Sequence, residues 1–203
     1  MKAVLDKNEA RRRAVQMAPQ ERCQQLLKVA INVFAEKGID GARHGDVARA
    51  AGVAIPTVHA YFKTRQDLVS AVLDATRKFI IEETILPFTS GPTFEDRMLR
   101  SGQHLISSVP ANVQYFKIWV MWNAYFGDPF RTQYLRFEEE AVSGLCQVLT
   151  GNPAAVNDEK MRERGLVFLG LAIFLTQMIL REESVERQEH FVQNVMQTVQ
   201  IWI

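Results

Sequence analysis

The sequence predicts an all-α protein of about nine helices, and three observations carry the prediction. Apolar residues recur at helical spacing through nearly every segment of the 203-residue chain. No stretch alternates apolar and polar residues in the way a half-buried strand does. Glycine and proline fall at intervals that cut the chain into helix-length pieces. There is no internal repeat.

Residues 1–18 are polar, carry Arg11, Arg12 and Arg13, and read as a flexible basic arm. Pro19 suits the first turn of a helix, where its missing N–H costs nothing. Cys23, Leu26, Leu27, Ala30, Val33 and Phe34 then share one face, and Gly38 stops the run. A short helix is expected over 46–51, a break at Gly52-Val53, and a second short helix over 55–62. Thr64 reads as an N-cap with Asp67, three residues on, as its capping-box partner. The helix it opens should run to about Leu86, before Pro87. After the turn Ser90-Gly91-Pro92, helices are expected over roughly 93–109, 112–126, 129–149, 156–181 and 185–202. Pro110, Gly127-Asp128-Pro129, Gly151-Asn152-Pro153 and Ser184 separate them. The chain thus divides into an arm (1–18), a small three-helix unit (19–66) and a larger helical bundle (67–203).

Composition bounds the function. An apolar fraction of 47% and a charged fraction of 23% are those of a soluble globular protein. Net charge is only +1, but residues 1–67 hold 12 Lys and Arg against 7 Asp and Glu, while the remainder holds 12 against 16. A basic first third beside an acidic remainder suits a polyanion at the N-terminal end. Cys23 and Cys146 sit in apolar helical patterns without metal-ligand spacing, as reduced buried thiols do. The N-terminus has no apolar leader, and a cytoplasmic location is expected. Residues 165–180 are strongly apolar but short for a span and include Thr176 and Gln177, so a core or interface helix is expected and no membrane. His44, His59, His104 and His190 are scattered, and no zinc spacing, P-loop, GxSxG or dinucleotide fingerprint is present. Neither an enzyme nor a metal or organic cofactor is expected. Glu138-Glu139-Glu140 reads as a solvated run on a helix.

Residues 44–62 hold the informative motif. Two short helices can cross steeply through a tight turn only if the first presents a small residue, the turn tolerates positive φ, and the second offers an apolar anchor. Ala48, Gly52 and Val58 meet these conditions together, and Val47, Ala51 and Tyr61 complete a small core. The pattern is that of a helix-turn-helix.

Ala48-x3-Gly52-Val53-x4-Val58-x2-Tyr61-Phe62-Lys63-Thr64-Arg65-x-Asp67-Leu68 resembles the signature of the TetR family, and Leu27, Ala30, Phe34 and Gly38 match its first helix. The arm, His44 before Asp46-Val47-Ala48, and Lys117-Ile-Trp119-Val-Met-Trp122 are further similar to the TetR-type quorum-sensing master regulators of vibrios. Ala18 and Arg43 stand where Ser and Thr caps are usual, and Ala172 stands where a polar pocket residue is expected. The resemblance implies a cytoplasmic, homodimeric transcriptional regulator, a repressor in many members, with a DNA-binding head and a dimerisation and ligand domain behind it.

In a helix-turn-helix the second helix enters the major groove. Ile55, Pro56, Thr57 and His59 are therefore the candidates for base edges. Tyr61, Lys63, Thr64, Arg43 and His44 are the candidates for the phosphate backbone. Arg11, Arg12 and Arg13 are candidates for an adjacent minor groove. No Arg or Asn is available on the second helix for bidentate readout, so DNA shape should contribute. One small module buries too little for specific recognition, so a two-fold dimer on a palindromic double-stranded operator is expected. The apolar stripes Phe168, Leu171, Phe174, Leu175, Met178 and Phe191, Val195, Val199, Trp202 are the candidate interface. Phe79, Phe116, Trp119, Trp122, Phe168 and Ala172 are candidates for lining a pocket for an apolar small ligand. The rival reading is a helical adaptor that binds protein and not DNA.

Overall fold

The computed structural model describes residues 18–200, the side chains of 199 and 200 apart. The expected arm, with Arg11, Arg12 and Arg13, and Trp202 lie outside the described residues. Within them the chain forms nine α-helices and no strand: α1 (Pro19–Gly41), α2 (His44–Ala51), α3 (Ile55–Tyr61), α4 (Arg65–Phe79), α5 (Phe94–Ala111), α6 (Val113–Asn123), α7 (Phe130–Thr150), α8 (Glu159–Leu180) and α9 (Val185–Gln200). A three-helix head, α1 to α3, is followed by a bundle.

Where the helices depart from expectation, local chemistry gives the reason. Gly38 takes φ 78° and ψ 167°, so the helical hydrogen bonding of α1 breaks there, yet the chain re-enters helix for three residues. Beyond α4 the backbone widens over Ile80–Ile85 and tightens again over Leu86–Phe88. The buried Thr84 hydroxyl donates to the Ile80 carbonyl at 2.5 Å, which competes with the regular ladder. Pro87 then has no N–H with which to continue it. Pro110 is accommodated inside α5, one residue from its end. Residues 153–157 form a separate tight turn, and α8 starts at Glu159 with the Asp158 carboxylate as N-cap.

α1 packs on both the head and the bundle. Leu26, Ala30 and Phe34 are fully buried, and α1 lies along α6 as well as against α2 and α4. The bundle core is aromatic: Trp122 stacks on Phe137 at 5.4 Å and meets Tyr134 edge-on at 5.4 Å. Two polar tips there find partners, the Trp122 indole donating to the Phe130 carbonyl at 3.0 Å and the Tyr134 hydroxyl to Asn123 at 2.6 Å, while the buried Trp119 indole N–H has none among the described residues. α5 approaches α9 closely because Gly102 has no side chain; a Cβ there would stand 2.7 Å from Val192.

Candidate nucleic-acid interface

The head is held by short-range chemistry. Val47, Ala48 and Val58 are buried where α2 crosses α3, beneath Leu68 of α4. Gly52 ends α2 at φ 65° and ψ 32°, its N–H reaching the Ala48 and Arg49 carbonyls. A Cβ at Gly52 would meet nothing within 4 Å, so the turn demands glycine for its backbone angle and not for space. Thr64 caps α4: its hydroxyl accepts from the Asp67 N–H at 3.0 Å, and the Asp67 carboxylate accepts from the Thr64 N–H at 2.9 Å. Those hydrogen bonds to Thr64, with Lys63 and His44 nearby, hold the Asp67 carboxyl below its ordinary range. Asp46 is lowered likewise, first by the Lys37 ammonium at 2.5 Å and then by the Arg43 N–H at 3.0 Å. Lys37 thereby pins α2 to α1.

This leaves one face of α3 open. Ile55 is 50% exposed; Pro56 and His59 are exposed and Thr57 half-buried. Lys63 and Thr64 lie exposed in the turn that follows, and Tyr61 is half-buried against the core. Arg43 is exposed, its guanidinium donating to the Asp40 and Ala42 carbonyls. His44 differs from the expected surface contact. It is buried, its Nε2 2.7 Å from the Phe62 carbonyl, and its ring stacks on His59 at 4.0 Å. Sequence reasoning missed Arg65, which ties the start of α4 to the Ala42 carbonyl at 3.4 Å and to the Ile39 carbonyl.

The family model for bacterial regulatory proteins, tetR family, matches residues 26–72, which is this head. Over these residues, about a quarter of the chain, it is similar to the DNA-binding region of the TetR family. The HTH-type transcriptional regulator LuxR of Vibrio harveyi is 31% identical over 119 residues, covering 57% of this chain and 56% of LuxR. The chain thus spans about half the length of that curated relative. A Rhodococcus sp. crystal structure assigned to the TetR family superposes with a TM-score of 0.71 at 23% identity, covering 89% of this chain and 98% of that one. FadR of Bacillus subtilis, solved in complex with stearoyl-CoA, gives 0.68 at 17% identity over 86% and 95%. At those identities the likeness is of fold.

The bundle holds a cavity of about 60 Å³ between α5, α7, α8 and α9, walled by apolar side chains including Leu105, Phe168, Ala172, Leu175 and Val192. Of the six residues expected to line a pocket, Phe168 and Ala172 are there. Phe116, Trp119 and Trp122 are instead packed solid in the aromatic core, and Phe79 stacks on Tyr115 at 4.3 Å. The aromatic run of α6 fills space and encloses none at this cavity.

The expected interface stripe is split in the same way. Phe168, Leu175 and Met178 turn into the chain's own core. Phe174 is 47% exposed and packs on the half-buried Phe191 at 5.3 Å. Leu171 and Val195 are half-buried against the cavity, and the side chain of Val199 lies outside those described. The outward stripe of α8 runs Leu166, Val167, Gly170, Phe174, of which only Phe174 was expected.

Proposed function

We propose that the protein is a sequence-specific, DNA-binding transcriptional regulator that acts as a homodimer. The observation that carries this reading is the open face of α3, whose first turn presents Ile55, Pro56 and Thr57 away from a rigid head. In that role Ile55, Pro56, Thr57 and His59 meet base edges, and Lys63, Thr64 and Arg43 flank them toward phosphates. The free N–H groups at the start of α4 favour an anion. The arm with Arg11, Arg12 and Arg13 reaches an adjacent minor groove. The outward stripe of α8 meets its two-fold copy, with α9 beside it, and the symmetry asks for a palindromic operator. Residues 19–66 form the reading head and 67–203 the dimerisation and regulatory part. The regulator works in the cytoplasm.

A small apolar ligand controls it. Support comes from the cavity between α5, α7, α8 and α9 and from the stearoyl-CoA found in the fold neighbour FadR. At about 60 Å³ the cavity must widen to admit a ligand, and the α5–α9 contact at Gly102 and Val192 is where it gives. A ligand that favours the widened form releases or holds DNA by linkage. A quorum-sensing role rests on the motifs shared with the vibrio regulators and on the LuxR match.

The deciding experiment is selection of bound duplexes from a genomic fragment library by purified protein at moderate salt. Enrichment of one palindrome with half-sites about a helical turn apart is expected. Folded, dimeric protein that enriches nothing, both stripped of ligand and supplied with an extract of apolar small molecules, would refute the reading in favour of the adaptor.

A further inference from the structure

The two histidines of the head form a unit that the reading above uses only residue by residue. His44 is the first residue of α2 and is buried; His59 lies on α3 and is exposed. Their rings are parallel to within 7° with centroids 4.0 Å apart. Each ring has one nitrogen facing a carbonyl: His44 Nε2 at 2.7 Å from Phe62, and His59 Nδ1 at 3.3 Å from Lys63. A carbonyl can only accept, so both of these nitrogens carry hydrogen. That fixes the neutral tautomers. The second nitrogen of His59, Nε2, is then a bare acceptor on an exposed residue of the helix that meets the bases.

Protonation inverts that group. A charged His59 shows N–H at Nε2 in place of the lone pair while its bond to Lys63 is unchanged. A charge on one ring opposes a charge on the other 4.0 Å away, so the stack favours at most one charge. Among the charged groups of the head, Arg43, Arg49, Lys63 and Arg65 disfavour the proton, as does Lys37 of α1 through its ion pair with Asp46, while Asp46 and Asp67, from α2 and α4, favour it; the cations outnumber the acids, so a further negative charge is needed to hold the proton. The phosphate backbone of a bound duplex adds negative charge beside this set and draws the proton on.

We propose that the stacked His44–His59 pair makes DNA binding proton-linked and sets what α3 shows to a base: an acceptor nitrogen when the pair is neutral, a donor when it holds a proton. This rests on the DNA-binding reading above. The neutral form pairs with an amino group, adenine N6 or cytosine N4; the charged form pairs with guanine O6 or N7. Because the bound state holds the proton more tightly, affinity rises as pH falls and levels off once the free protein is itself protonated.

The test selects duplexes from a random-sequence library with the full chain at about pH 8 and about pH 6, where an ordinary imidazole changes charge. Dissociation constants for the selected duplex are then measured across that range at constant ionic strength. His59→Phe keeps a ring on His44 without nitrogens; His59→Gln keeps a polar group that does not titrate. Wild-type affinity should rise on acidification by up to about tenfold per pH unit for each head, about a hundredfold for the dimer, with one base preference in each half-site changing between the two selections. Both variants should bind more weakly, with a shallower profile than wild type and no change of base preference between the two selections, because the buried His44 that remains shows no nitrogen to a base. A flat wild-type profile, or variants that keep the wild-type slope, would overturn the proposal while leaving DNA binding intact. Failure of folded wild-type protein to select any duplex at either pH would overturn the DNA-binding reading and the proposal with it.

Discussion

Gly52→Ala isolates the cost of one backbone angle. The residue sits at φ 65° and ψ 32°, a conformation that costs a side chain bearing Cβ roughly 1–2 kcal/mol. No neighbour lies within 4 Å of the Cβ position, so no clash adds to this. Alanine also stiffens the unfolded chain, which returns about 0.4–1 kcal/mol. The net loss should be about 1 kcal/mol, a fall in Tm of about 2–4 °C for a chain of this size. Asparagine tolerates the left-handed region better than alanine, so Gly52→Asn should lose less. Thermal unfolding of the three proteins, followed by circular dichroism at one protein concentration, checks both statements. A Gly52→Ala variant as stable as wild type, or an asparagine variant less stable than the alanine one, would refute the argument from φ.

Thr64→Ala removes the side-chain half of the α4 cap and should cost about 1 kcal/mol in urea unfolding. Asp46 and Asp67 are both held below the ordinary carboxylate range, so their contribution is complete above the unfolded value, near pH 4, and is lost as pH falls through their lowered values. The urea midpoint of wild type should therefore drop in acid, and the drop should be shallower in Asp46→Asn/Asp67→Asn; equal slopes would exclude these two groups. Arg97→Met should cost about 1–3 kcal/mol, because this buried guanidinium donates to the Val148 carbonyl at 2.6 Å, Gly91 at 2.9 Å and Leu149 at 3.1 Å and its loss leaves buried acceptors without a donor; a loss under 1 kcal/mol would contradict that role. Lys63→Ala should weaken every duplex alike and lower the salt slope by about 2, one for each head of the dimer, measured by titration at several salt concentrations; an unchanged slope would remove Lys63 from the phosphate contacts.

What was legible in the sequence was what is local in the chain. Ala48, Gly52 and Val58 stand at fixed offsets, and the Thr64–Asp67 cap spans three residues, so spacing alone is enough to specify them. His44 was read as surface because its partner, the Phe62 carbonyl, is 18 residues away across the head. Arg65 was missed for the same reason, since its acceptors, the Ala42 and Ile39 carbonyls at the end of α1, lie 23 and 26 residues away. α8 failed differently. It carries apolar residues on both sides, Phe168 and Leu175 inward and Leu166, Val167 and Phe174 outward, and a helix apolar nearly all round has no periodicity to say which stripe is inside. The aromatic residues of α6 suggested a ligand site because composition cannot separate filled space from empty space.

The placement of α1 bears on how such proteins can be recombined. One side of α1 packs on α2 and α4, and another lies along α6. Met121 Sδ approaches the Cβ position of Gly38 to 3.8 Å, and the Tyr125 hydroxyl donates to Asp40 at 3.1 Å. A chimera spliced at residue 66, joining this head to another regulator's bundle, would carry over one half of the α1–α6 contact and lose the other. Exchange of operator preference between relatives is therefore easier through the exposed residues of α3 alone, which touch nothing across that seam, than through transfer of the whole head.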